Sequence, residues 1–307
     1  MIQKYLYGVP FDTESVVAPI PASQGEPPVG MVKTSESGFC FACPLAEGDR
    51  VYGLGEANRG INKRGFLYIS DCADDPNHVE SKTSLYAAHN FIIISGKTHV
   101  GFFFDYPGTL RFDIGYTTSD TMTVSCENAD LYVYMITGDS DLDIVKQFRG
   151  IIGRSYIAPK FAFGYGQSRW GYKTEDDFRT VVKKYRENHV PLDMVYMDID
   201  YMQDYKDFTV NEERFPDFEG FVQDMKKEKI HLVPIIDAGV KVEKDYDIYE
   251  EGCEKGYFCR REDGSYFEAT VWPGWTHFPD VLNADARKWF GDKYDVLVSK
   301  GIDAFWN

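Results

Sequence analysis

The pattern of secondary structure changes at Pro159, and this change constrains the fold more than any other feature of the sequence. From about Val51 to Thr137, short strand-like runs are separated only by turn residues. After Pro159, strand-like runs alternate with helical ones. The first pattern is typical of an antiparallel sheet and the second of a parallel sheet covered by helices. The sequence therefore predicts two domains, residues 1–155 and 156–307.

The residues before Pro159 predict an antiparallel β-sandwich. In the run 131–136, Leu131, Val133 and Met135 alternate with the other three side chains, which is the period of a sheet. Residues 141–152 then predict one connecting helix, with Ile144, Val145, Phe148 and Ile152 at helical spacing. The stretch GLGEANRG (53–60) lacks the third glycine of a dinucleotide fingerprint, so we interpret its glycines as turn residues.

The residues after Pro159 predict four parallel strands. They lie at 161–166, 193–197, 231–236 and 302–306 and are separated by helical segments. A closed (β/α)8 barrel needs about 250 residues, whereas only about 150 follow the sandwich. Two architectures therefore remain, an open four-stranded α/β sheet and the first half of a barrel.

Composition excludes several classes of partner. The formal net charge of −16 and the isoelectric point near 4.8 disfavour nucleic acid and anionic membranes. Neither a signal-peptide core nor an apolar run of about 18 residues occurs. The six cysteines are scattered, and Cys40 and Cys43 lack the second ligand pair of a zinc site. We expect a cytoplasmic protein with reduced thiols, no metal and no cofactor.

The chemistry of such a sheet lies just past the carboxyl ends of its strands. There the sequence places Asp198 and Asp200 after the second strand and Asp237 after the third. If the second strand continues, Asp198 and Asp200 lie on one side and can share a proton or bind sugar hydroxyls. The alternative is that one contacts a ligand and the other accepts bonds from neighbouring amides. With these carboxylates, six aromatic residues favour a carbohydrate ligand: Trp170, Tyr172, Tyr201, Trp272, Trp275 and Trp306.

At these residues the sequence resembles glycoside hydrolase family 31, the retaining α-glucosidases and their relatives. The matching stretches occur in the family's order: FAFGYGQSRWGY (161–172), VYMDIDYMQDYKDFTVNEERFPD (195–217), PIIDAGV (234–240), VWPGWTHFPDVLNADARKWF (271–290) and GIDAFWN (301–307). The resemblance implies an N-terminal β-sandwich followed by a (β/α)8 barrel. In this interpretation, residues 156–307 supply barrel strands one to four.

The resemblance also implies which residues bind substrate. Asp198 would hold the hydroxyls at the far side of the non-reducing sugar, and Asp237 would buttress the site. Trp170 would shape the entrance toward the leaving sugar. Asp74 would lie in a sandwich loop that reaches over the barrel mouth. The remaining four residues would wall the subsite: Ile199, Ile235, Trp272 and Trp306.

The family's nucleophile is the aspartate of the motif F-W-x-D-M-N-E-P. Phe305, Trp306 and Asn307 match F-W-x, so the aspartate is expected immediately after Asn307 and the acid/base further on. We therefore expect no catalytic residue within the chain, and no activity of these residues alone. The predicted parent enzyme removes terminal non-reducing α-linked glucose from short α-1,6- or α-1,4-linked oligosaccharides.

Other interpretations of the chain stay open at this point. One is a non-catalytic carbohydrate-binding module that ends naturally at Asn307. Others are the α-xylosidase and transglucosylase activities of the same family. The partners expected are an α-glucoside or oligosaccharide and the C-terminal half of the barrel, with no nucleic acid or membrane. The sequence does not indicate whether the protein forms oligomers.

Overall fold

A computed structural model describes residues 1–35 and 38–307, which form two compact units, Met1–Ser155 and Tyr156–Asn307. Within the described residues, no helix is long and apolar enough to cross a bilayer.

The first unit consists of two five-stranded antiparallel sheets and one helix. Its strands are β1 (Ile2–Tyr7), β2 (Met31–Ser35), β3 (Gly38–Pro44), β4 (Arg50–Gly55), β5 (Phe66–Ser70), β6 (Ala88–Ser95), β7 (His99–Asp105), β8 (Leu110–Ile114), β9 (Thr121–Cys126) and β10 (Leu131–Gly138). The sheet orders are β1-β10-β7-β6-β4 and β2-β3-β9-β8-β5. Phe41 of the second sheet contacts Phe102 and Phe104 of the first at ring-centroid distances of 4.9 and 5.6 Å. The predicted β-sandwich is confirmed.

The helix α1 (Asp141–Ile152) has the predicted bounds. The Ser140 side chain accepts a hydrogen bond from the main-chain N–H of Asp143 and so caps its first turn. Phe148 stacks on Phe91 of β6 with centroids 3.8 Å apart, so α1 covers the outer face of the first sheet. The prediction that Ile152 belongs to the apolar face of α1 is wrong, because Ile152 is exposed and Ile151 is buried in its place.

The glycines of GLGEANRG serve the backbone of the sandwich. Gly53 and Gly55 have φ angles of 123° and 76° at a register shift between β4 and β6. A Cβ atom on Gly53 would lie 2.2 Å from the carbonyl oxygen of Phe91. Only glycine fits such a bulge, in agreement with the interpretation of this stretch as turn residues.

The second unit is built around a short parallel sheet. Its elements are β11 (Gly166–Gln167), α2 (Glu175–Glu187), β12 (Met194–Met197), α3 (Phe218–Lys227), β13 (His231–Pro234), β14 (Val240–Lys241), α4 (Asp247–Lys255), β15 (Glu268–Val271), β16 (Gly274–His277), α5 (Ala284–Lys293) and α6 (Asp295–Val298). Strands β11, β12 and β13 pair in parallel, and β14, β16 and β15 form a small antiparallel sheet. Among the described residues the parallel sheet does not close into a barrel.

Two of the four predicted parallel strands are shorter than expected. Residues 160–163 form a 3-10 helix stabilised by bonds such as Gly164 N–H to the Phe161 carbonyl, so only Gly166 and Gln167 pair with β12. The fourth predicted strand, 302–306, contributes one parallel bridge, between Ile235 and Trp306. The order of strand and helix along the chain nevertheless follows the prediction.

The helices α2 and α3 cover the parallel sheet. Thr174 and Asp177 form a reciprocal capping box at the start of α2. Four residues on one face of α3 are buried: Phe218, Phe221, Val222 and Met225. They belong to one core with β12 and β13, and that core holds the carboxyl ends of these two strands in place.

Candidate functional site

Two carboxylates lie at the carboxyl ends of neighbouring parallel strands. Asp198 directly follows β12, and Asp237 follows β13 by three residues. The pairing extends past the strands, because the Ile235 N–H donates to the Met197 carbonyl at 2.9 Å. Burial raises the pKa of Asp237, and the negative charge of Asp198 raises it further. The structure thus brings these two predicted site residues into electrostatic contact.

The chain turns sharply at Asp198. Its Oδ1 accepts a hydrogen bond from the Ile199 N–H at 2.8 Å and caps a 3-10 helix, Ile199–Tyr201. The strand therefore does not continue to Asp200, so the condition under which both carboxylates would lie on one side of it is not met. Asp200 is buried, with Oδ1 3.6 Å from the Arg214 guanidinium, which also donates to the Asp200 carbonyl at 2.7 Å. Asp200 is a structural residue.

Apolar side chains surround the two strand ends. Ile199 directly follows Asp198, Ile235 lies two residues before Asp237, and both isoleucines are buried. The Trp306 N–H donates to the Pro234 carbonyl at 3.0 Å, and its own carbonyl accepts from Ile236 at 2.9 Å. These bonds place the Trp306 ring, which is 36% exposed, at the same edge of the sheet. Three of the predicted wall residues therefore flank the end of β13.

The other predicted binding residues lie on loops. Trp170 follows β11 by three residues and is 69% exposed, and Trp272 lies between β15 and β16 and is 70% exposed. Asp74 belongs to the first unit and is exposed in the loop after β5. Contact of these three side chains with a sugar stays a prediction.

Of the aromatic residues expected to line a sugar pocket, Tyr201 belongs instead to the core, and the half-buried Tyr172 packs against it. The Tyr201 ring is fully buried, and its hydroxyl donates to the Ile235 carbonyl at 2.8 Å. Tyr172 packs edge-on against the buried Phe178 at 5.7 Å. Tyr201 therefore ties the turn after β12 to the end of β13. It does not offer a ring face for stacking.

Sequence reasoning missed Asp207, which lies ten residues after β12 and is only 2% exposed. Its Oδ1 accepts a hydrogen bond from the main-chain N–H of Asp237 at 3.1 Å. Burial raises the pKa of Asp207 well above the usual range, and the charge of Asp237 adds to this effect. The stretch YKDFTV contains the residue, but its burial depends on distant segments that the local sequence does not reveal.

The tyrosines around Asp207 act as neutral donors. The buried Tyr246 hydroxyl donates to the Asp207 carbonyl at 2.9 Å. Burial, followed by the charge of Asp207, raises the pKa of Tyr246 and brings that of Tyr294 to about 12. Within residues 1–35 and 38–307, no cluster of three or more His, Cys, Asp or Glu residues is arranged to hold a metal ion. The site offers carboxylate acceptors beside apolar walls, which suits a neutral polyol ligand.

The curated relatives of the chain are glucosidases. It is 36% identical over 282 residues to "Alpha-glucosidase 2" of Bacillus thermoamyloliquefaciens, covering 91% of this chain and 36% of the relative. It is 28% identical to "Alpha-glucosidase" of Saccharolobus solfataricus, covering 84% of this chain and 37% of that protein. The chain thus spans little more than a third of the length of these relatives.

Solved structures and family models agree with this relationship. The GH31 dextranase of Flavobacterium johnsoniae in complex with isomaltotriose matches with a TM-score of 0.80 and 21% identity over 90% of this chain and 34% of that one, which shows the fold alone. The model "Glycosyl hydrolases family 31 TIM-barrel domain" matches residues 155–307. The model "Glycosyl hydrolase 31 N-terminal galactose mutarotase-like domain" matches residues 31–113. The chain belongs to glycoside hydrolase family 31.

Proposed function

We propose that the chain forms the subsite for the non-reducing-end glucose of a retaining α-glucosidase. The observation that carries the proposal is the juxtaposition of Asp198 and Asp237 at neighbouring strand ends, next to Ile199, Ile235 and Trp306. The names of the curated relatives support the same activity. The substrate is a short oligosaccharide with a terminal α-linked glucose.

The proposed subsite recognises glucose through two kinds of contact. Hydroxyl groups of the sugar donate to the carboxylate oxygens of Asp198, and such charge-assisted bonds are stronger than those between neutral groups. The C–H face of the ring packs against Ile235 and Trp306, which exclude water from these bonds. Trp272 completes the wall, and Trp170 closes the subsite from its loop.

The catalytic pair of the proposed enzyme lies outside this subsite. Retaining hydrolysis needs two carboxyl groups about 5 to 5.5 Å apart, on opposite sides of the glycosidic bond. Asp200 is paired with Arg214, and Asp237 lies at the same edge of the sheet as Asp198, so neither stands on the opposite side of a glycosidic bond. In this proposal the nucleophile and the acid/base belong to the part of the relatives' length that the chain does not span.

The test compares the complete product of the gene with residues 1–307 alone. We expect the complete product to hydrolyse p-nitrophenyl α-glucoside and to release α-glucose first, as followed by proton NMR. Residues 1–307 are expected to show no turnover. Turnover by residues 1–307 would contradict the proposal that the catalytic pair lies outside these residues. Glucose binding without hydrolysis by the complete product would indicate a carbohydrate-binding module instead.

The same assay distinguishes the other activities of the family. A preference for p-nitrophenyl α-xyloside would indicate an α-xylosidase, and transfer of glucose to maltose in excess over hydrolysis would indicate a transglucosylase. We propose hydrolysis of the glucoside because the named relatives are glucosidases.

We also propose that the protein functions in the cytoplasm. All six cysteines are free thiols, and Cys43 is buried, as suits a reducing compartment. Cell fractionation with an antibody against residues 1–307 tests this location, and recovery outside the cytoplasm would contradict it.

A further inference from the structure

We propose that Asp207 is a positioning residue for Asp237: its carboxyl group binds the main-chain N–H of Asp237 and fixes the direction in which that residue leaves β13. The proposal rests on the proposed function, because it assigns Asp237 to the sugar subsite. Asp207 acts through Asp237 and not on the substrate.

The contact itself is specific to one atom pair. Asp207 Oδ1 accepts from the Asp237 N–H at 3.1 Å across 30 positions of sequence. Asp237 lies past the end of β13, where sheet pairing no longer determines the course of the backbone. The Asp207 carboxyl therefore accepts the hydrogen bond that a neighbouring strand would accept within the sheet, at the position where the chain leaves the sheet.

The loop that carries Asp207 has an unusual backbone. Asp204, Tyr205 and Phe208 have φ angles of 53°, 59° and 61°, a region that residues other than glycine rarely adopt. Strain of this kind persists only where the surrounding structure holds it, and it is concentrated at functional sites. Three of the five residues from 204 to 208 are non-glycine residues with positive φ angles. We infer that this backbone conformation serves to place the Asp207 side chain.

Several contacts hold this conformation. The Tyr246 hydroxyl donates to the Asp207 carbonyl at 2.9 Å, and the Thr209 hydroxyl donates to the Lys206 carbonyl at 2.5 Å. The Phe208 ring packs against Phe290 and Tyr294 with centroids 5.1 and 5.3 Å away. These contacts hold the backbone at Asp207 and its neighbours, which sets the direction in which the Asp207 side chain points.

The surroundings of Asp207 favour its neutral form. Its second oxygen, Oδ2, is buried and has no hydrogen-bond partner among the described residues. Burial and the nearby Asp237 charge both raise the pKa of this carboxyl well above its usual range, which favours the protonated form. A neutral group at this position orients Asp237 without adding negative charge beside it. Asparagine has the same shape and the same acceptor oxygen, and it is also neutral.

The experiment uses the complete gene product, p-nitrophenyl α-glucoside as substrate and glucose as ligand. We expect Asp207→Ala to lower kcat/KM and glucose affinity about tenfold, since the Asp237 N–H loses its acceptor. Asp207→Asn should stay within about threefold of the wild type, because it retains the acceptor. The matched control, Asp204→Asn, changes an exposed carboxylate of the same loop and should leave both quantities unchanged.

A double-mutant cycle separates positioning from general stability. If Asp207 acts through Asp237, then Asp207→Ala should cause no further loss of kcat/KM in an Asp237→Ala background. Independent, multiplicative losses would overturn the proposal. So would a tenfold loss in Asp207→Asn, or wild-type kinetics in the folded fraction of Asp207→Ala. If the wild type binds glucose but shows no hydrolysis, only the proposed hydrolysis is refuted. The double-mutant cycle is then measured on glucose affinity and still tests the role of Asp207.

Discussion

At the scale of single residues, the surroundings of each carboxyl group determine its role. Asp198 binds a neighbouring main-chain N–H, Asp200 is paired with Arg214, and Asp207 is buried without a cation beside it. A buried carboxylate that is paired with a cation serves the fold, whereas one at an open strand end accepts bonds from a ligand. Identical side chains within ten positions thus serve three purposes.

The contrast between Asp198 and Asp200 gives a matched pair of substitutions. We expect Asp198→Asn to lower the glucose affinity of the complete gene product about 10- to 100-fold, because a charge-assisted bond is lost, while the Tm changes little. Asp200→Asn should lower the Tm by several degrees through loss of the Arg214 pair and leave the affinity unchanged. Calorimetric titration and thermal unfolding measure the two effects. Equal loss of affinity in both variants would contradict the assignment.

Trp170 offers a test of linkage preference. Its exposed ring follows β11. If this ring shapes the entrance of the proposed subsite, we expect its bulk to favour the flexible α-1,6 linkage over α-1,4. We expect Trp170→Tyr to lower the ratio of kcat/KM for isomaltose to that for maltose about fivefold, within the range that a change of pocket size produces. Tyr116→Phe alters an exposed ring of the first unit and serves as the control. An unchanged ratio in Trp170→Tyr would contradict the proposal that Trp170 shapes the entrance of the subsite.

At the scale of secondary structure, elements with local signals could be predicted and those that depend on neighbours could not. The bounds of α1 and the cap of α2 follow from Ser140, Thr174 and the apolar periodicity, which are all local. The first parallel strand is short because only Gly166 and Gln167 meet β12, and its apolar run does not reveal that. The predicted carboxyl ends of the strands likewise indicated Asp198 and Asp237 as candidate site residues. The burial of Asp207 arises from segments about 30 to 40 positions away.

Two helical glycines in the second unit illustrate why local propensity is insufficient. A Cβ atom on Gly252 of α4 would lie 2.4 Å from the Phe258 ring and 3.0 Å from Trp289, whereas one on Gly291 of α5 would meet nothing within 4 Å. Alanine normally stabilises a helix by up to about 1 kcal/mol relative to glycine. We expect Gly291→Ala to gain about 0.5 to 1 kcal/mol and Gly252→Ala to lose about 1 to 3 kcal/mol through overpacking. Urea unfolding measures both, and a stabilised Gly252→Ala would contradict this packing.

At the scale of the whole molecule, acidic groups outnumber basic ones by 49 to 33. Lys255 of α4 and Lys293 of α5 both contact Glu251, which therefore links the two helices. This cluster couples the stability of the second unit to pH.

The direction of that coupling follows from the pKa of Glu251. The two lysines lower it to about 2, below the ordinary value of 4.5. A depressed carboxyl pKa stabilises the fold above the unfolded-state value, and the contribution is lost as the pH falls from about 4.5 toward 2. All three side chains are partly exposed, so solvent screening limits the contribution to about 1 kcal/mol. We expect Glu251→Gln to lower the free energy of unfolding by this amount at pH 6 and by much less at pH 3, as measured by urea unfolding. Glu254→Gln, at an exposed position of the same helix, is the control, and a Glu251 effect that grows toward low pH would contradict the prediction.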